Sequence, residues 1–427
     1  MTIELPHLEP YQRDVLNYHI EHPNNNWIVT VSPRQVGKSI LLEVLLVYAS
    51  LKEPNSKSIA ISPIFSQSKK LYEDVVSFAA PIIKKSNSSS LEITFINNST
   101  ARFASAEQGD HLRGFTAKHS GIVVIDEAVW IKKEFFYDTV VPFTNVFNGN
   151  VFLFSTPRTK TGLFYELYTQ GLSGNNNIKS FNWTNYDLSK FLTPKILELY
   201  RKQLPKLTFR CEYLAEFCDG QSTVFSDFTK QIINSSLDYS KPITIGIDWG
   251  SGSGNDYTVL TFGQVRDNKI YIPYQIAFND KTPTETIRFI KTQVEDLVKQ
   301  GAKEINIIVE KNSIGAIYHS NLVEAIDEFE RTWNDSVHWR DEIEINCSTF
   351  VTTNTSKKKA VEQLIILFEQ GNIYIPDDKE LISQLSLFEA KVNKDTGTIQ
   401  YAVYAPGQHD DRVLSLLFVI NELQRYL

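Results

Sequence analysis

The chain has 427 residues, of which 42% are hydrophobic and 22% charged, a length that exceeds one ordinary core and suggests two domains. No apolar run reaches the roughly 18 residues of a membrane span. Its formal charge of −7 counts against a protein that simply coats nucleic acid, but not against an enzyme holding DNA in a local groove.

The first half alternates strands and helices. Strands are expected at Asn26–Val31, Ser58–Ile61, Leu91–Phe95, Gly121–Ile125 and Asn150–Ser155, with a helix at Ser39–Ala49 after the first. This is an α/β sheet pattern. The polar runs Ser86–Ser90 and Asn175–Asn177 read as loops. A first domain therefore covers residues 1–181. Residues 182–228 read as a linker subdomain, with a helical run over Pro194–Phe217 and then a polar, turn-rich segment. A second α/β domain covers residues 229–427. Its expected strands are Ile243–Asp248, Thr258–Val265, Lys269–Phe278 and Glu304–Glu310, and its expected helices Thr282–Lys299, Thr355–Gln370 and Asp410–Gln424. A meander of strands before the first helix sets this domain apart from the first.

The segment Ser32-Pro33-Arg34-Gln35-Val36-Gly37-Lys38-Ser39 lies between an apolar strand and an apolar helix. It fits GxxxxGK[ST] with Ser32 in place of the first glycine. Backbone N–H groups at such a loop and helix N-terminus cradle phosphate. Lys38 would reach the β- and γ-phosphates of ATP, and Ser39 would ligate Mg²⁺. The apolar strand Ile122–Ile125 ends in Asp126 and Glu127. Asp126 would hold Mg²⁺ through water, and Glu127 would polarise the attacking water. A third apolar strand ends in Ser155-Thr156-Pro157, where γ-phosphate can be sensed. Arg34, inside the loop, and Arg113, in Asp110-His-Leu-Arg113-Gly114, are candidates to stabilise the transferring phosphoryl group. Tyr11 and Gln12 could contact adenine, or could simply pack at a helix N-terminus. Arg113 could equally form a surface salt bridge.

In the second domain, Ile243–Ile247 is an apolar strand ending in Asp248, and Ile305–Val309 ends in Glu310. His409-Asp410-Asp411 opens the apolar helix Val413–Ile420. Each acid alone is an ordinary strand end or helix cap. Together they can converge on two Mg²⁺ or Mn²⁺ ions for phosphodiester hydrolysis. No His/Cys cluster competes for zinc. Ser356, Lys357 and Lys358, at the start of a helix, suit a DNA phosphate, or else form a solvated charge run. The segment Lys391–Tyr404 reads as a hairpin around Asp395-Thr-Gly397, over the substrate groove or at the surface.

This order of elements resembles the large terminase subunit of tailed bacteriophages over roughly Leu8 to Leu423. The resemblance rests on Tyr11-Gln12, Arg34-Gln-Val-Gly-Lys38-Ser39, Asp126-Glu127, the coupling motif Ser155-Thr156-Pro157, the Leu112-Arg113-Gly114 element and Arg210-Cys-Glu212-Tyr-Leu-Ala-Glu216-Phe. It implies a P-loop ATPase domain of the RecA/ASCE type followed by a ribonuclease H-like nuclease. It places the acidic triad on Asp248, Glu310 and the Asp410-Asp411 pair, of which Asp411 is favoured, and a proposed arginine finger on Arg113. It further implies double-stranded DNA, a portal protein and a small terminase subunit as partners, and a pentameric ring on the procapsid formed by a chain that is monomeric in isolation. Three cysteines, Cys211, Cys218 and Cys347, form no CxxC pair. With no basic-then-apolar leader in MTIELPHLEPYQ, this points to the host cytoplasm during viral assembly, without secretion or membrane. Two competing readings are a cellular helicase-nuclease of repair or defence and a catalytically silent assembly protein. The single phosphate loop argues against the first, and the intact Lys38, Asp126, Glu127 and Asp248 against the second.

Overall fold

The computed structural model describes residues 6–174, 177–218, 224–225, 228–250, 256–312, 315–338, 341–392, 399–403 and 409–427. The chain divides into two compact units, Met1–Lys202 with Lys206–Gly220, and Gln203–Pro205 with Gln221–Leu427. Among the described residues, no helix is long and apolar enough to cross a membrane.

The first unit runs α1 (Pro10–Glu21), β1 (Trp27–Val31), α2 (Lys38–Lys52), β2 (Lys57–Ser62), α3 (Phe65–Ala79), β3 (Ile83–Asn87), β4 (Glu92–Phe95), β5 (Thr100–Ser105) and β6 (Val123–Ile125). After α4 (Lys133–Phe135), a π turn and α5 (Val141–Thr144) come β7 (Val151–Ser155), α6 (Leu163–Leu172), β8 (Ile178–Asn182), α7 (Pro194–Gln203) and α8 (Lys206–Tyr213). The sheet order is β3-β4-β5-β2-β6-β7-β1-β8. Strands β1, β2, β5, β6, β7 and β8 pair in parallel, and β3–β4–β5 is an antiparallel extension. Strands β1, β6 and β7 are buried along almost their whole length, as apolar runs covered on both faces must be. Strand β7 therefore lies between the strand leading into the phosphate loop and the strand ending in Asp126.

Two expectations are corrected by the structure. The polar run Ser86–Ser90 is not all loop, because β3 continues to Asn87. Its residues Ile83-Lys-Lys-Ser-Asn are mostly exposed, and a lysine-rich edge strand carries no apolar alternation to read. The helical run Pro194–Phe217 is two helices, interrupted at Pro205, whose ring cannot continue a helix. Of the run Asn175–Asn177, only Asn177 lies within the described residues.

The second unit runs β9 (Ile243–Asp248), β10 (Thr258–Arg266), β11 (Lys269–Phe278), α9 (Pro283–Lys299), β12 (Glu304–Glu310), α10 (Gly315–Ser336) and β13 (Glu344–Phe350). It continues with α11 (Asn354–Gln370), β14 (Ile373–Tyr374), α12 (Lys379–Leu387), β15 (Phe388–Val392), β16 (Ile399–Val403) and α13 (Asp411–Leu423). Its main sheet has the order β13-β12-β9-β10-β11-β14. Strands β9, β10 and β11 form an antiparallel meander, while β12 runs parallel to β9 and β13 parallel to β12. That is the strand arrangement of a ribonuclease H-like sheet. Thr282 and Glu285 cap α9 reciprocally, which fixes the turn out of the meander.

Helix α13 packs directly on β9 and β10. A side chain at Gly246 would meet the Ser415 carbonyl oxygen at 2.5 Å, so only glycine admits the helix at this distance. The Ser415 hydroxyl bonds the Gly246 carbonyl at 2.9 Å and lies 2.7 Å from the Thr261 hydroxyl. This close seat fixes where the helix begins, and so where Asp411 lies. Strands β15 and β16 pair from Phe388 with Val403 to Val392 with Ile399, and the turn expected at Asp395–Gly397 lies outside the described residues.

Candidate nucleotide and metal sites

In the first unit, β1 ends at Val31 and the backbone turns through Ser32–Gly37 into α2. Gln35 and Gly37 have positive φ, 62° and 85°. The positive φ of Gly37 favours glycine there, and a side chain at this position would also push against the Gln12 amide nitrogen, 2.7 Å away. Gln12 donates to the Gly37 carbonyl at 2.8 Å, and the Tyr11 hydroxyl donates to the Val36 carbonyl at 3.1 Å. The Tyr11 ring is 2% exposed, with its centroid 4.8 Å from that of Trp183. It offers no free face for stacking on adenine. What this pair visibly does is hold the loop from behind.

Lys38 is buried and donates to Thr156 Oγ1 at 2.9 Å and to the Pro33 carbonyl at 3.3 Å, with Glu127 Oε1 at 3.8 Å. Burial lowers its pKa, and Glu127 and Asp126 oppose that shift. Asp126 is pushed up to about 6, first by burial and then by the Glu127 charge. Lys38 partly offsets this rise, and a divalent cation beside Asp126 would offset it further by favouring the charged carboxylate. The Ser155 hydroxyl donates to Glu127 Oε2 at 3.1 Å. The three strand ends are therefore wired together, with Ser155 touching the water-polarising candidate and Thr156 touching the lysine. Ser39, the Mg²⁺ candidate, is exposed next to Lys38 at the start of α2.

A cavity opens beside this cluster, lined by Arg34, Glu127, Trp130, Thr156, Arg158 and Glu212 among others. Arg34 pairs with Glu212 at 3.0 Å, and Arg158 lies 4.0 Å from the same carboxylate and 4.3 Å from the Trp130 ring centre. The sequence reading assigned no role to Arg158 and named Glu212 only within a motif. No spacing rule marks either residue, since α8 arrives from far along the chain. Arg113 is exposed and does not line this cavity.

In the second unit, Val309 pairs with Ile247, so the parallel ends of β9 and β12 bring Asp248 and Glu310 to one edge. Asp411, at the first turn of α13, is 8% exposed and accepts the Tyr257 N–H at 3.1 Å. Asp248, 5% exposed, is raised well above the ordinary carboxylate range by burial and then by Asp411, Glu310, Asp410 and Asp256. The charges bearing on it most strongly are therefore all carboxylates. Asp411 is also raised, by burial first. Asp256, two residues before β10, acts on both acids and was not among the sequence-derived site residues. Among the described residues, no three acidic, histidine or cysteine side chains are already drawn into a closed ligand set. The donors fit Mg²⁺ or Mn²⁺ by chemistry, being oxygen only, and both Asp248 and Asp411 are raised in pKa first by burial and then by neighbouring carboxylates.

Asp410 points elsewhere, pairing with Lys357 at 3.1 Å. That pairing also engages one of the candidate DNA-binding residues. Ser356 caps α11 reciprocally with Thr353, and Lys358 lies 3.8 Å from Glu362 on the same helix.

The family description "Terminase large subunit, T4likevirus-type, N-terminal" matches residues 29–232. The terminase large subunits of Thermus virus P23-45 and Thermus phage G20c are each 24% identical over 448 residues, covering 92% of this chain and 83% of theirs. Among solved structures, the large terminase of a thermophilic bacteriophage superposes with a TM-score of 0.57 at 11% identity, covering 98% of this chain and 100% of that one. The complex of the same phage's terminase with ADP gives 0.55 at 14% identity, with the same coverage.

Proposed function

We propose that this chain, a relative of the large terminase subunits over nearly its whole length, is a viral DNA-packaging enzyme: an ATPase whose hydrolysis drives double-stranded DNA into a procapsid, joined to a metal-dependent endonuclease that cuts concatemers. The observation that carries this is the pairing of two sites on one chain. One unit wires Lys38 to Thr156 and Glu127 at the end of a parallel sheet. The other gathers acids around Asp248 at the edge of a ribonuclease H-like sheet.

In the first unit, the loop backbone and Lys38 bind the β- and γ-phosphates, Ser39 and Asp126 hold Mg²⁺, and Glu127 orients water with Ser155 fixing its carboxylate. Transfer of Lys38 from Thr156 to phosphate changes a contact on the coupling motif itself. Arg113, outside the cavity, acts on the site of a neighbouring copy. In the second unit, Asp248, Glu310 and Asp411 would hold two Mg²⁺ or Mn²⁺ ions, which supply charge stabilisation to the attacking and leaving oxygens. Tyr257 N–H orients Asp411 there, and Lys357, Lys358 and the start of α11 face the DNA backbone. The partners are a portal protein, a small terminase subunit and four further copies in a ring of five, in the host cytoplasm.

A crossed assay tests the reading. In Lys38→Ala, phosphate release should fall by about 10²-fold or more while plasmid cleavage in Mn²⁺ persists. In Asp248→Asn, cleavage should fall by about 10³-fold while phosphate release persists. Wild-type ATP turnover in Lys38→Ala would overturn the phosphate-loop assignment.

A further inference from the structure

Strands β1 and β7 are parallel neighbours, with Val31 in register with Ser155. Arg34 and Arg158 each follow their strand end by the same three residues, so both rise from one sheet edge. Both guanidiniums converge on one atom, Glu212 Oε1, at 3.0 and 4.0 Å. Two positive groups drawn to one point repel each other unless an anion lies between them. Here that anion is Glu212, 15% exposed, while the guanidinium side chains reach further into solvent, Arg34 at 53% and Arg158 at 37%. The same cavity wall carries Glu127 and Thr156, the contacts of Lys38.

We propose that Arg34 and Arg158 form a two-arginine seat for the terminal phosphate of ATP, and that Glu212 is its built-in competitor. This rests on the ATPase reading above and adds to it a second cis arginine and a carboxylate that must be displaced. Guanidinium forks bind phosphate and carboxylate by the same geometry, so one anion replaces the other without rebuilding the seat. The exchange concerns side chains alone. Arg34 N–H donates to the Glu212 carbonyl at 2.8 Å, and Cys218 N–H donates to the Arg158 carbonyl at 2.7 Å. These backbone bonds tether both arginines to the α8 segment whichever anion they hold. The segment that senses the swap is the one preceding the second unit in the chain.

Only a nucleotide long enough to reach the arginines competes with Glu212. The test is competitive displacement of a fluorescent ADP from the full chain by adenosine 5′-O-(3-thiotriphosphate) or by ADP, each with Mg²⁺. Glu212→Gln keeps the shape and removes the charge. It should tighten the triphosphate roughly threefold to tenfold and change ADP by less than about twofold. Arg158→Ala should weaken the triphosphate by about tenfold, with partial recovery in Arg158→Lys, and should abolish the gain from Glu212→Gln in the double variant. The proposal is overturned if Glu212→Gln leaves triphosphate affinity unchanged, weakens it, or tightens both nucleotides alike. Lys38→Ala serves as the separate control. If it binds both nucleotides as wild type does, the phosphate-loop reading fails; if it binds neither while Glu212→Gln has no effect, only the competitor role fails.

Discussion

The two units use the same device, a buried apolar strand ending in an acid, and balance its charge in different ways. At the end of β6, Asp126 and Glu127 lie beside a lysine of their own unit, with Lys38 at 3.8 Å from Glu127, and Asp126 rises only to about 6. At the end of β9, the charges bearing most strongly on Asp248 are all carboxylates, and its pKa rises well above the ordinary range. The difference follows the substrates. A nucleotide brings several negative charges, so a site for it needs positive groups from the protein. A phosphodiester approaching a ring of acids is repelled unless divalent ions intervene, so that site must take its positive charge from solution.

The comparison is sharpened first at Arg113. If the nucleotide site draws positive charge from a neighbouring copy too, Arg113→Ala should cut ATP turnover in assembled rings by roughly 10³–10⁵-fold and leave nucleotide binding intact. Mixing it with Glu127→Ala chains should restore part of the turnover, because each supplies what the other lacks. Steady-state phosphate release, with assembly checked by light scattering, decides this; no rescue in mixed rings would count against the trans role.

A smaller effect separates Asp411 from Asp410. Asp411 faces Asp248, whereas Asp410 pairs with Lys357. Asp411→Asn should reduce plasmid cleavage by about 10²-fold and Asp410→Asn by less than about tenfold. Equal losses would mean that the first turn of α13 presents its acids differently from the arrangement described here.

What the sequence made legible follows from period and punctuation. The apolar strands ending in Ser32, Asp126, Ser155, Asp248 and Glu310 could be read because parallel strands covered on both faces are continuous hydrophobic runs. Strands β3 and β13 could not, since edge strands with exposed residues lack that signal. Helix α10 was missed for a related reason, as only Gly315, Leu322 and Ile326 are buried along its length. Motif residues were found because chemistry fixes their spacing along the chain. Arg158, Glu212 and Asp256 act through tertiary placement, which no local spacing encodes.

The central claim is that, among the described residues, the charges bearing most strongly on Asp248 are all carboxylates, whereas Glu127 has Lys38 beside it. Asp248 in the folded chain binds its proton more tightly than its ordinary 3.8. Stability therefore falls as pH rises from that value through the raised one, and stays lower above it. Divalent ions should restore that stability at pH 8. The direct measurement is calorimetric titration of Mn²⁺ into the full chain without nucleotide at pH 8, paired with melting in EDTA. The account predicts that Lys38→Ala binds Mn²⁺ and is stabilised by it as wild type is. Asp248→Asn should lose the binding and melt roughly 2–4 °C above wild type in EDTA. Wild-type Mn²⁺ binding by Asp248→Asn, with no gain in melting temperature, would contradict it.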